Sequence, residues 1–188
     1  MRRWMLYSFG GVLALLSVYL YALPESINLT KLYGSKVIGY TINFPQNWVF
    51  DEKHERLVIF SGKPNTPAYY STVNVQKVPS VKKGGVYSKV SDVTNNLVSQ
   101  LSGLANANAQ ITDRKRYVHQ SLSARKMVGE QFVVTYHYNG QKFKQWQIVL
   151  PSVKGDTFYT WAYTSHADKY TKSYPIAEAM LRSWDISQ

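Results

Sequence analysis

The alternation of apolar and polar residues predicts a folded part built mainly of short strands. Residues 37–44 form the first such run, and Pro45 ends it. The side chains expected on its buried face are Ile38, Tyr40, Ile42 and Phe44. The runs 57–60 and 71–78 also predict strands, because apolar residues recur there between turn-forming residues.

A tight hairpin is the clearest local signal further along the chain. Apolar and polar residues alternate over 132–138, and Asn139-Gly140 then supplies the two-residue turn that favours a hairpin. The returning strand is expected over 141–150, with one face formed by Trp146, Ile148 and Leu150. A further strand is expected over 157–164, with one face formed by Tyr159, Trp161 and Tyr163.

Two amphipathic segments predict helices. The first is expected to start at a cap on Ser91 or Asp92 and to end near Leu104, with apolar residues every three to four positions. The second is expected to have Pro175 as a first helical residue, with a stripe formed by Ile176, Met180 and Trp184. Between helix and hairpin, 111–122 predicts at most a short strand. The fold class is therefore α+β, an antiparallel sheet sandwiched by helices.

The N-terminal segment differs from everything that follows it. Residues 4–23 carry no charge, and a helix of that length spans about 30 Å, the thickness of the hydrocarbon core of a bilayer. Arg2 and Arg3 favour a cytoplasmic N-terminus, and the end of the segment lacks a small-x-small cleavage site. We therefore expect an uncleaved single-pass anchor, with a cleaved signal peptide as the alternative.

This interpretation divides the chain into three parts. Residues 1–24 are the anchor, 25–36 a linker and 37–188 one extracytoplasmic domain. The expected location is an inner or thylakoid-type membrane, with the domain periplasmic. The absence of cysteine in the 188 residues excludes disulfides and thiolate metal sites.

Net charge points to an acidic partner. The chain has 22 Lys and Arg against 11 Asp and Glu, a net charge of +11. Arg2 and Arg3 carry two of these positive charges, so the net charge of the rest of the chain is 11 − 2 = +9. Such a field attracts acidic proteins, anionic lipids or nucleic acid, and an extracytoplasmic location makes nucleic acid an unexpected partner. The candidate interaction surface consists of Lys82, Lys83, Arg114, Lys115, Arg116, Arg125, Lys126, Lys142 and Lys144.

Motifs that carry catalysis are missing from the sequence. The four histidines form no His-Glu-x-x-His pair, and neither a Gly-x-Ser-x-Gly elbow nor a glycine-rich phosphate loop occurs. We therefore expect no catalytic residue, no cofactor and no metal, and a protein that is not an enzyme.

Two short signatures at opposite ends of the domain resemble the PsbP/Mog1-like superfamily, which includes photosystem proteins and bacterial envelope proteins of the DcrB group. The first is a strand, a proline turn and a tryptophan over 40–48, and the second is an aromatic strand followed by a terminal helix. The residues that carry the resemblance are Tyr40, Pro45, Trp48, Trp161 and Trp184. The resemblance implies an antiparallel sheet with packed helices and a non-enzymatic role in supporting a larger complex.

The leading hypothesis is a membrane-anchored extracytoplasmic accessory protein that binds and supports a larger membrane protein complex. One alternative is a structural subunit of a secretion or conjugation apparatus, since such subunits also combine one N-terminal helix with a small α+β domain. Another alternative is a binder of anionic lipid or of an acidic envelope polymer through its lysines and arginines.

Overall fold

The computed structural model describes residues 27–103, 108–120 and 126–186. The predicted anchor over 4–23 lies outside these residues. Within the described ranges, no helix is both long enough and apolar enough to cross a membrane.

The described residues form two antiparallel sheets and two helices. The strands are β1 (Lys31–Ser35), β2 (Tyr40–Phe44), β3 (Trp48–Lys53), β4 (Leu57–Gly62), β5 (Thr72–Pro79), β6 (Gln110–Gln120), β7 (Lys126–Tyr138), β8 (Gln141–Pro151), β9 (Thr157–His166) and β10 (Asp185–Ile186). The helices are α1 (Val90–Ser102) and α2 (Tyr170–Ser183). The larger sheet has the order β3-β4-β5-β9-β8-β7-β6, and the smaller sheet has the order β1-β2-β10.

Three layers follow from the side-chain pattern of the larger sheet. One face, which includes Trp161 of β9, packs against α2 and the smaller sheet in the main aromatic core. On the opposite face, Val149 and Phe158 pack against Val93 of α1. The two helices therefore lie on opposite faces of the antiparallel sheet, which confirms the expected α+β class; the smaller sheet beside α2 was not predicted.

The end of α2 is joined to β2 by specific contacts. Ser183 Oγ donates to the carbonyl of Met180 (2.8 Å) and accepts from the backbone N–H of Asn43 (2.9 Å). Trp184 follows with no solvent exposure, and β10 then pairs with β2. α2 and β2, far apart in sequence, thus form one packed unit, and the five signature residues are all buried.

The predicted hairpin is confirmed. β7 and β8 pair from Glu130↔Val149 to Tyr138↔Gln141, and both turn residues have positive φ, 49° at Asn139 and 75° at Gly140. Glycine adopts that backbone region at no steric cost, and asparagine adopts it more readily than most residues. The turn chemistry therefore sets the register that runs through the centre of the sheet.

The segment 25–36, interpreted as a linker, contains the strand β1. Only Tyr33 of its five residues is buried, and its ring lies 5.5 Å from that of Phe60. A single buried side chain on a short edge strand gives no alternation to detect, which is why the pattern missed it.

Both helix starts differ from the prediction. α1 begins at Val90, and Asp92 lies inside its first turn, where its carboxylate accepts hydrogen bonds from Ser88 and from the N–H of Lys89. The hydrogen bonds from Ser88 hold the pKa of Asp92 below its usual value. α2 begins at Tyr170, so Pro175 lies inside the helix. Burial of Tyr170 in the main core extends the helix N-terminal to the proline.

Candidate interaction surface

The structure does not bring the predicted basic residues together on one face. Lys82 and Lys83 lie in a short turn after β5, where Lys83 Nζ contacts Asp156 Oδ2 at 2.9 Å. Lys142 and Lys144 lie at the opposite end of the sheet, and the length of β8 places these ends roughly 30 Å apart. Lys126 begins β7, and Arg125 lies outside the described residues.

The remaining three basic residues, Arg114, Lys115 and Arg116, lie on β6 at the edge of the larger sheet. No other described strand pairs with the outer side of β6. All three side chains are exposed. The edge strand therefore presents a concentrated positive charge beside backbone groups that are open to a further strand.

A bulge in β6 determines where these basic side chains point. Thr112 is opposite Val133 and Lys115 is opposite Gln131, so β6 contains one extra residue, and Asp113 has a φ of 52°. After the bulge, side chains alternate regularly as far as Gln120. Lys115 therefore faces the α2 side of the sheet, and Arg116 faces the α1 side.

A groove of about 540 Å³ lies beside β6 on the α1 side. Its lining residues are Val90, Arg114, Lys115, Arg116, Val128, Gly129 and Glu130. Arg114 Nη2 donates to Glu130 Oε2 at 3.0 Å, and Nε donates to the same oxygen at 3.3 Å. This exposed ion pair contributes at most about 1 kcal/mol to stability, but it holds the guanidinium beside Glu130, which also lines the groove.

A second cavity of about 180 Å³ lies beside the same strand on the α2 side. Its lining residues are Asp113, Lys115, Gln131, Val133, Trp146, Tyr170 and Tyr174. The Trp146 and Tyr174 rings stack at 5.3 Å, and Trp146 Nε1 donates to Gln131 Oε1 at 3.1 Å. β6 is thus flanked on one face by a groove in which charged residues adjoin Val90 and Val128, and on the other face by an aromatic cleft.

Gly129 allows β7 to approach β8 beneath the groove. A Cβ atom at this position would lie 1.9 Å from the carbonyl oxygen of Val149, which is a backbone clash. We expect Gly129→Ala to lower the free energy of unfolding by about 1–3 kcal/mol because the strands must separate. Urea denaturation of the variant tests this. The exposed neighbour Val128→Ala is the control, and equal stability of the two variants would contradict the clash.

His119 is a structural residue rather than part of the surface. It is buried at the end of β6, where its Nε2 donates to the carbonyl of Trp184 at 2.8 Å. Burial lowers the pKa of His119, although the Trp184 carbonyl and the charge of Asp185 oppose the shift. The folded protein therefore favours the neutral imidazole.

This histidine predicts a decrease in stability under mildly acidic conditions. The unfolded chain binds a proton as the pH falls below about 6.5, whereas folded His119 resists protonation. The stability that neutral His119 contributes is complete above about pH 6.5. It is lost as the pH falls toward the pKa of His119 in the folded protein, which is lower than in the unfolded chain. We expect the free energy of unfolding to decrease between about pH 7 and pH 5, and His119→Gln to weaken this dependence. An unchanged dependence in His119→Gln would contradict this role, and the exposed His137→Gln serves as the control.

No group of three or more His, Asp or Glu side chains is placed to bind a metal ion in the described ranges 27–103, 108–120 and 126–186. The sequence pointed to Arg114, Lys115 and Arg116, but it did not reveal the two cavities or the aromatic residues Trp146 and Tyr174 that line one of them. Those residues come from β8 and α2, so only the fold brings them to β6.

Comparison with known proteins identifies the fold. No protein-family model matches the chain, and no curated protein sequence matches it. The Ran-binding protein Mog1p of Saccharomyces cerevisiae is similar in structure, with a TM-score of 0.55 and 10% identity over 84% of this chain and 95% of that chain. PsbP of Synechocystis sp. PCC 6803 gives a TM-score of 0.53 and 10% identity over 83% of this chain and 91% of that chain.

LpqN of Mycobacterium tuberculosis, a protein involved in cell envelope biogenesis, is also similar. Its TM-score is 0.51, with 15% identity over 84% of this chain and 91% of that chain. Matches of this quality over nearly the whole length of each relative show a common fold. The resemblance to the PsbP/Mog1-like superfamily is therefore confirmed at the level of the fold.

Proposed function

We propose that the chain is a non-enzymatic accessory protein that binds an acidic protein partner through β6. The observation that carries this proposal is the edge strand itself, with three consecutive basic residues between two cavities. Complementary charge steers a partner toward the correct face and fixes its orientation. A structural neighbour that is a Ran-binding protein supports a protein-binding role for this fold.

We further propose that the protein acts outside the cytoplasm, anchored in a membrane by residues 4–23. The support is the charge-free segment preceded by Arg2 and Arg3. A structural neighbour involved in cell envelope biogenesis is consistent with this location. Anchoring confines the domain near the membrane surface, so its partner is expected to be a subunit of a membrane complex.

In-cell crosslinking of the tagged full chain, followed by mass spectrometry of the membrane extract, tests the proposed function. We expect a reproducible set of subunits from one complex, recovered less efficiently as ionic strength rises, because salt screens exposed charges. Recovery of lipid or envelope polymer without any protein would overturn the proposal and favour the anionic-ligand alternative.

A further inference from the structure

The regular part of β6 is open to a further strand. From Lys115 to Gln120, each residue pairs in register with β7, while no described strand lies on the outer side. An edge strand of this kind has backbone N–H and C=O groups directed away from the sheet. The preceding bulge ends the regular pairing at Lys115, so it sets one end of the open segment.

The two cavities lie on opposite faces of this same strand. Arg116 and Val128 line the groove on the α1 side, and Trp146 and Tyr174 line the aromatic cleft on the α2 side. Successive side chains of a strand point to opposite faces of a sheet. The side chains of a strand added beside β6 would therefore enter the groove and the cleft in turn.

We infer that β6 binds an extended segment of the protein partner as an eighth strand of the larger sheet. This inference rests on the proposed function, because it specifies how that partner is bound. Backbone hydrogen bonds to β6 would supply affinity, and the two cavities would select the side chains.

The chemistry of the cavities specifies the partner segment. Arg116 on one face and Lys115 on the other favour a carboxylate entering either cavity, while Arg114 is already paired with Glu130. The groove also has the aliphatic wall of Val90 and Val128. A carboxylate in the cleft beside Lys115, with apolar side chains in the groove beside Val90 and Val128, defines an acidic, extended segment in which acidic and apolar side chains alternate.

The apolar surface near the open edge is consistent with a protein segment. Val118 and Val128 form a cross-strand pair on the α1 side and are 50% and 43% exposed. An exposed valine pair beside an open strand edge is a favourable contact for the apolar residues of an added strand. A partner bound through charge alone would not use this pair.

An octapeptide that alternates Glu and Val, labelled with a fluorophore, is the probe. Fluorescence anisotropy measures its binding to the full chain in mild detergent, and hydrogen exchange measures protection of the backbone amides of β6. We expect saturable binding that protects the amides between Lys115 and Gln120. Absence of saturable binding, or protection confined to another strand, would overturn the inference.

Backbone methylation separates strand addition from charge attraction. A peptide with N-methyl groups along both of its edges cannot pair with β6, whereas one methylated along a single edge can still pair through the other. We expect the doubly methylated peptide to bind at least tenfold more weakly than the singly methylated control. Equal binding of the two peptides would show that charge alone attracts them and would overturn strand addition.

The two proposals fail in different ways. If crosslinking recovers a protein partner but the peptide does not bind, or binds regardless of methylation, strand addition is wrong and the accessory function stands. If crosslinking recovers no protein, the proposed function is wrong whatever the peptide does.

Discussion

Trp184→Ala is expected to lower the free energy of unfolding by about 3–5 kcal/mol, because it removes a large buried aromatic side chain and leaves a cavity. The indole has no solvent exposure and lies 6.2 Å from the rings of both Tyr40 and Tyr159. It also lies 5.5 Å from the ring of His119, at the point where α2 ends and β10 begins. The substitution therefore weakens contacts between both sheets and the terminal helix.

A loss of this size is a large fraction of the stability of an ordinary domain, which is about 5–15 kcal/mol. Chemical denaturation of the full chain in mild detergent, followed by far-ultraviolet circular dichroism, measures it. Tyr138→Ala, at a position that is 58% exposed on the hairpin, is the control and should change stability by less than about 0.5 kcal/mol. A loss below about 1 kcal/mol for Trp184→Ala would contradict the close packing of this indole between the two sheets.

Reversing the charge of Lys115 and Arg116 together is expected to reduce partner recovery at least tenfold. The two residues face opposite sides of β6, so the double substitution Lys115→Glu and Arg116→Glu places negative charge beside both cavities. An acidic partner would then be repelled at the edge where we expect it to bind. Both side chains are exposed, so thermal denaturation should show little change in stability.

The matched control reverses two exposed lysines at opposite ends of the larger sheet, Lys82→Glu and Lys142→Glu. It changes net charge by the same amount and leaves β6 intact. Quantitative mass spectrometry after crosslinking should show recovery close to that of the unmodified protein. Equal losses in both double variants would mean that only overall charge attracts the partner. Full recovery with the β6 variant would show that the edge strand is not the binding surface.

Elements with strong local signals were predicted correctly from the sequence. Asn139-Gly140 favours one turn type, and in the central strand β9 the alternation places Tyr159, Trp161 and Tyr163 on one face. Both faces of β9 are buried, so its period of two comes from residue type: large aromatic side chains alternate with small or polar residues such as Thr160 and Ala162. In β2 the alternation follows burial, because Tyr40, Ile42 and Phe44 are buried and the residues between them are more exposed.

β6 was underestimated because its pattern is interrupted. The residues Ile111 and Tyr117 are separated by six positions, yet the bulge places them on opposite faces of the sheet. An inserted residue shifts the alternation of apolar and polar positions by one, so the pattern no longer has a single period of two. An edge strand also has few buried side chains from which the pattern could be recognised. β6, which carries the proposed binding surface, is thus a strand that sequence periodicity predicts poorly.

The candidate surface was predictable only in part. Consecutive basic residues identified Arg114, Lys115 and Arg116, but charge alone gave the same weight to lysines at both ends of the sheet. The distinction comes from Trp146 and Tyr174, which reach the cleft beside β6 from β8, two strands away, and from α2. Long-range packing therefore separates a candidate binding site from ordinary solvent-exposed lysines.

Site-specific photocrosslinking in cells shows whether the partner protein binds at β6. A photoreactive benzoylphenylalanine replaces Val118 on β6 in one version of the full chain and Val49 on β3, the other edge of the larger sheet, in a second version. Both valines are exposed, at 50% and 38%. We expect irradiation to attach a partner protein at Val118 and not at Val49. Attachment at Val49 alone, or equally at both positions, would contradict binding through the basic edge strand.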